Sequence, residues 1–359
     1  MEAAAFRQVD VNSASLADVR VRPFVAADAP QWDRFVETCT EATFFHRAGW
    51  RGIIERIFRH RAHYLVAERG GVICGVLPLA EVRSRLFGNA LVSLPFCVYG
   101  GPAATDPDAC SALIDSAGDL ARSLRVDHLE LRNRVQRRSD WPRQELYVTF
   151  RKVVDPDPAA NLQAIPRKQR AMVRKAIDRR LRSAIDSTPD RFFDLYADNV
   201  HRHGTPALPR RYFDELVTTF GDACEILTVT DAQGRPVSSV LSFYFRDEVL
   251  PYYAGDTHAA RDLAANDFKY WELMRRATER GVRVFDYGRS KRGTGSFDFK
   301  KNWGFAPTPL AYEYALYSRS DIPQHNPLNP KYRAFIALWR RMPRRMANAL
   351  GPMIVRNLG

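Results

Sequence analysis

The chain has 359 residues, 45% of them apolar and 11% aromatic, enough to bury substantial cores and outside the disordered and low-complexity classes. Its formal net charge of +13 favours a polyanionic partner: RNA, anionic lipid, a nucleotide-sugar diphosphate or an acidic polysaccharide. Five scattered cysteines without a CxxC pair exclude a disulfide scaffold or structural zinc and fit a reducing cytosol. No run approaches the ~18 consecutive apolar residues of a membrane span, and the N-terminus has no basic-then-apolar signal pattern. A cytoplasmic location is expected, with peripheral membrane contact left open, and DNA is not among the expected partners.

In chain order, residues 1–18 read as a flexible leader. Val19–Phe24 follows as a strand, Ala27–Thr40 as a helix, and Trp50–Phe58 as a helix with Ile53, Ile54, Ile57 and Phe58 on one face. Tyr64–Arg69 and Val72–Leu79 flank Gly70-Gly71 as a hairpin, and Asn89–Tyr99 is an apolar strand ending at Gly100-Gly101-Pro102. Asp106–Leu124 reads as a capped helix, with strands at Asp127–Arg132 and Tyr147–Val153. Beyond the proline-rich joint Asp155–Asn161 the order recurs. Helices are expected at Leu162–Ala184, Arg191–His203 and Arg210–Phe220, a hairpin at Glu225–Phe245, a strand at Glu248–Ala254 and a helix at Asp267–Gly281. The reading is an α/β (α+β) protein with domains at 19–154 and 155–320. In the tail, 321–359, Tyr332–Met342 is an amphipathic helix that packs back on the first domain or touches a membrane.

The stretch that organises the chain is Val282–Phe305, VRVFDYGRSKRGTGSFDFKKNWGF. Alternating apolar residues make its start a buried strand. Gly288, Gly293 and Gly295, interleaved with Arg289, Lys291 and Arg292, then offer close backbone approach and cations to a phosphate or other anion. Phe299-Lys300-Lys301 and Trp303-Gly304-Phe305 follow. Three features resemble the C-terminal half of the Fem-type peptidyltransferases, GNAT relatives that attach amino acids to cell-wall precursors. They are Trp271-Glu272 to Arg280-Gly281 on a helix, Phe285-Asp286-Tyr287-Gly288 ending a strand, and Phe299-Lys300 before Trp303-Gly304-Phe305. The segments Arg83–Gly101, Ala164–Ala176 and Gly288–Phe305 are closer still to the Fem-like proteins found beside exosortase and PEP-CTERM sorting genes. This resemblance implies two tandem GNAT-like domains, an aminoacyl-tRNA donor, no tightly bound cofactor, and an amine-bearing acceptor among envelope or exopolysaccharide precursors.

The family's Phe-Lys pair falls on Phe299 and Lys300, which implies that Lys300 stabilises an oxyanion or orients the terminal phosphate while Phe299 stacks on a terminal base. Lys301 competes with Lys300 for that place. Asp286 is a general base or a turn cap. Arg289, Lys291, Lys301, Trp303, Tyr253, His203 and Arg211 are expected around the substrate, the last two from a polar loop between helices. Arg167, Lys168, Arg170, Arg174 and Lys175 crowd one helix with a single acid, Asp178, and suit phosphates. Val173, Ile177 and Leu181 would form that helix's buried stripe. Enzymes of this superfamily that use acyl-CoA hold its pyrophosphate on a glycine-spaced loop. The corresponding Ala254–Ala265 has one glycine, which disfavours coenzyme A. No metal is expected, since His201 and His203 lack companion ligands. Acyl-CoA or acyl-carrier-protein donors, and a non-catalytic binding protein, are the competing readings.

Overall fold

The structure, a computed structural model, describes residues 18–84, 88–323 and 330–357. The leader expected at 1–18 lies outside the described residues except for its last position. Among the described residues the chain forms a mixed α/β fold with sheets of four, six and seven strands. The second half builds the seven-stranded sheet from Arg182–Asp186, Cys224–Thr230, Pro236–Phe245, Glu248–Asp256 and Val284–Lys291 in sequence order. The first half repeats this plan, except that Pro78, which has no N–H for a ladder, separates Val72–Leu77 from Ala80–Ser84. Its strands therefore fall into two sheets.

The halves exchange their last strands. Tyr147–Val153 precedes the proline-rich joint, yet pairs antiparallel with Val284–Lys291. Ala311–Leu316 returns to pair with His128–Asn133 of the first half. The boundary expected at 154/155 thus follows the chain and not the sheets. One apolar core also crosses between the halves, where Phe44 stacks on Phe243 at 4.3 Å and meets Phe220 at 4.7 Å.

Local chemistry sets the helices. Asp106 accepts from the amide of Ala109 at 2.9 Å and Pro107 occupies the first turn, so the helix Pro107–Leu124 starts where expected. The single basic helix expected at 162–184 is instead two helices and a strand: Pro158–Ala164, Arg167–Asp178 and Arg182–Asp186. Pro166 interrupts the first junction and Arg180, at φ 57°, turns the second. Val173 and Ala176 are the buried residues of the middle helix. Ile177, expected in its buried stripe, is 49% exposed. The tail corrects its expected partner. Helices Pro330–Arg341 and Arg344–Val355 pack mainly on Asp190–His203 of the second half, and reach the first where the carbonyl of Arg356 lies 2.7 Å from His60 Nε2.

Candidate active site

The cleft originates in the backbone. Strands Glu248–Asp256 and Val284–Lys291 run parallel but pair only at Glu248–Val284 and Val249–Phe285, then diverge. Gly288 takes φ 62°, a left-handed conformation that costs any other residue about 1–2 kcal/mol. The register against Tyr147–Val153 shifts between Thr149 and Arg151. This bulge, of a kind common beside active sites, turns three successive carbonyls inward. Helix Gly295–Asn302 follows, capped by the Thr294 hydroxyl, and brings Lys300 back under the strand. Its Nζ donates to the carbonyls of Tyr287 at 2.7 Å and of Gly288 and Arg289 at 3.2 Å.

Two cavities share Phe96, Tyr253 and Arg289. One, about 350 Å³, is walled by Pro251, Tyr252, Tyr270, Tyr287 and Lys300. The other, about 450 Å³, extends past Glu130, Arg132, Tyr147, Tyr312 and Tyr314. Burial pushes the Lys300 ammonium down to about 8, partly opposed by Asp286 and assisted by Arg289. At the junction of the cavities the Arg289 guanidinium stacks 4.5 Å above Tyr147 and donates to the Tyr312 hydroxyl at 3.3 Å.

Of the expected site residues, Lys300, Arg289 and Tyr253 meet in this cleft. The second lysine, Lys301, points to solvent. Phe299 lies beneath, on Tyr270 at 5.4 Å and Trp303 at 5.8 Å. Trp303, expected at the substrate, is buried in the core and donates to Asp267 at 2.9 Å. Lys291 is half-buried and lines neither cavity. His203 and Arg211 also stay outside. His203 offers its carbonyl to Arg340, and Arg211 ties its helix to the carbonyl of Ile57 at 3.2 Å. Their loop nonetheless reaches the larger cavity through Thr205, Pro206 and Leu208. Arg167, Lys168 and Arg174 are exposed, Arg170 and Lys175 half-exposed; Arg170 is held by Gln163 at 2.6 Å.

Asp286 is fully buried and lines neither cavity. It accepts from the Gly288 amide at 2.7 Å, Tyr99 at 3.0 Å and Thr149 at 3.2 Å, and faces Arg151 at 3.3 Å. Burial raises its affinity for a proton although Arg151 opposes this. Its geometry is that of a brace for the Gly288 bulge. Beyond it lies a separate cavity of about 500 Å³, walled by Glu41, His46, Arg134, Arg137 and Arg151. Burial keeps His46 there down at about 4, hence neutral. The cleft residues that sequence reading missed include Phe96, Glu130, Arg132, Tyr147 and Tyr312. A signal existed for two of them. Glu130 and Arg132 stand two apart on either side of Leu131 in the strand His128–Asn133, so both charges share one face, and they pair at 2.7 Å.

Comparison with known proteins fits this geometry. Residues 163–301, which include Phe299 and Lys300, match the family model described as Acetyltransferase (GNAT) domain. This part of the chain is an acyltransferase domain. Among curated proteins, none matches. Among solved structures, FemX superposes with a TM-score of 0.64 at 14% identity over 83% of this chain and 98% of its own. L-PGS from Bacillus licheniformis gives 0.53 at 11% over 87% and 96%. A tandem GNAT protein from the clavulanic acid biosynthesis pathway gives 0.50 at 15% over 85% and 100%. These likenesses establish the fold, two GNAT-like domains in tandem. Among the described residues, no helix is long and apolar enough to cross a membrane.

Proposed function

We propose that this chain is an aminoacyl- or acyltransferase that forms an amide on an amine acceptor, with an aminoacyl-tRNA as donor. The observation that carries the proposal is the Lys300 ammonium, held where two strands diverge and opening on a cleft of aromatic and arginine side chains. The amine attacks the ester carbonyl, the C–O bond breaks, the tRNA hydroxyl leaves with a proton, and the amide forms. Lys300 exchanges its two 3.2 Å carbonyl contacts for the developing oxyanion, and Arg289 holds an anionic part of a substrate. Asp286 positions the bulge. The exposed cations of helix Arg167–Asp178 contact tRNA phosphates.

The loop after Glu248–Asp256 supports this donor over coenzyme A. The amides of Thr257, Ala260, Leu263 and Ala264 are already bonded to the carbonyls of Val237, Thr257, Ala259 and Arg261. They are not free for a pyrophosphate. The acceptor we place among envelope or exopolysaccharide precursors, in the exosortase setting that the sequence resemblance implies, with the enzyme at the cytoplasmic side. Fluorescence anisotropy with charged tRNA, deacylated tRNA and coenzyme A esters tests the proposal. Preference for charged tRNA, lost in Lys300→Ala, supports it. Saturable binding of a coenzyme A ester with no discrimination between the tRNAs transfers the protein to the acyl-CoA-dependent class.

A further inference from the structure

Among the described residues, the C-terminal tail leaves one face unpartnered. From Ile322 to Gly359 the sequence holds seven Lys and Arg and no Asp or Glu. Helices Pro330–Arg341 and Arg344–Val355 are pinned by an inward side. Trp339, Ala347 and Gly351 are buried, and His201 Nε2 lies 3.0 Å from the carbonyl of Met342. Outward, Leu338 is 66% exposed, Met346 53%, Leu350 41% and Met353 65%. Met346, Leu350 and Met353 are spaced i, i+4, i+7, so they form one stripe along the second helix. Arg341 and Arg345 are exposed beside it.

The geometry points to this face as a docking surface for an anionic lipid bilayer, with the methionine and leucine side chains in the acyl boundary and the arginines at the head groups. Both halves of the surface are needed for that assignment. A second copy would use the stripe, but a twofold contact would bring the arginine-rich segments together with no acid of the same segment between them. RNA would use the arginines and leave the Met/Leu stripe in water. An anionic bilayer accommodates both, because an interfacial helix binds by its apolar stripe and its basic rim together. Pro323 and Val355 line the 450 Å³ cavity, Val355 from the side of the helix turned away from the stripe, so the docked tail also forms one wall of the cleft.

The test is flotation of the full chain, nuclease-treated, with vesicles of phosphatidylcholine alone or mixed with phosphatidylglycerol, at low and moderate salt. Two double variants are compared, Met346→Ser with Met353→Ser and Arg341→Glu with Arg345→Glu, with circular dichroism confirming their fold. The expected result is binding to the mixed vesicles only, weakened roughly tenfold or more by either pair of changes. Four results overturn it. They are failure to float with phosphatidylglycerol, binding that the serine pair leaves unchanged, a dimer in light scattering that the serine pair dissolves, or an RNA gel shift that the serine pair abolishes.

Discussion

Replacing Lys300 by alanine and by arginine separates a charged catalytic group from a structural hydrogen bond. Burial lowers its ammonium from 10.5 to about 8. Roughly nine-tenths of the molecules therefore carry the charge at pH 7, and about one-tenth at pH 9. If the charge stabilises the oxyanion, kcat/KM falls about tenfold per pH unit above 8. Lys300→Ala loses roughly 10²–10³-fold, the range for one oxyanion donor. Lys300→Arg keeps its charge at every pH tested, so its alkaline limb disappears even if its plateau is lower. Aminoacyl hydroxamate formation from radiolabelled aminoacyl-tRNA, with hydroxylamine as the amine, measures this without knowledge of the natural acceptor. Stability moves in the opposite sense. The folded form releases its proton near 8 and the unfolded form near 10.5, so between these values the unfolded chain binds more protons and stability rises with pH. An alkaline limb that survives unchanged in Lys300→Arg, or a folded Lys300→Ala with full rate, refutes the assignment.

Three further outcomes follow from the same geometry. Asp286→Asn removes one of the two carboxylates facing Arg151, Glu248 being the other, and is expected to cost about 2–3 kcal/mol in urea denaturation, with the alkaline limb set by Lys300 moved to lower pH because Asp286 supports its charge; a stable protein with abolished turnover makes Asp286 the general base instead. Gly288→Ala meets nothing closer than Val98 Cγ2 at 3.8 Å, so its cost is the backbone strain of φ 62°, about 1–2 kcal/mol, together with weaker donor binding as the carbonyls under Lys300 shift. Unchanged binding in that variant shows that the bulge does not shape the site. Arg167→Glu with Arg174→Glu alters two exposed side chains, so the melting temperature stays within a degree or two while the log–log salt slope of tRNA binding shrinks by roughly 2. An unaltered slope leaves this helix as a solvated face.

Much of the architecture is local and was legible in the sequence. The Gly70-Gly71 and Asp231–Gly234 turns, the Asp106 cap and the period of the apolar residues each act over a few residues. The recurrence of strands and helices across the Asp155–Asn161 joint therefore predicted a tandem α/β chain. Part of the site was legible for the same reason. Gly288 and Lys300 are only twelve positions apart, and a strand, a turn and a capped helix suffice to bring them together. The exchange of Tyr147–Val153 and Ala311–Leu316 between sheets was not legible. An apolar strand of alternating pattern fits either neighbour, and only the global packing selects one. Trp303 illustrates the same limit, because its place in the core depends on the Asp267 carboxylate 2.9 Å away, contributed by another helix. Its aromatic, glycine-flanked context reads equally as a ligand platform. The walls of the cleft bring together Arg132 with its cross-strand partner Tyr312, and Tyr253 with Tyr147, from segments more than a hundred residues apart. No local pattern encodes that approach, and so sequence alone determined which chemistry the chain carries, while the tertiary structure decided which of those residues face one another.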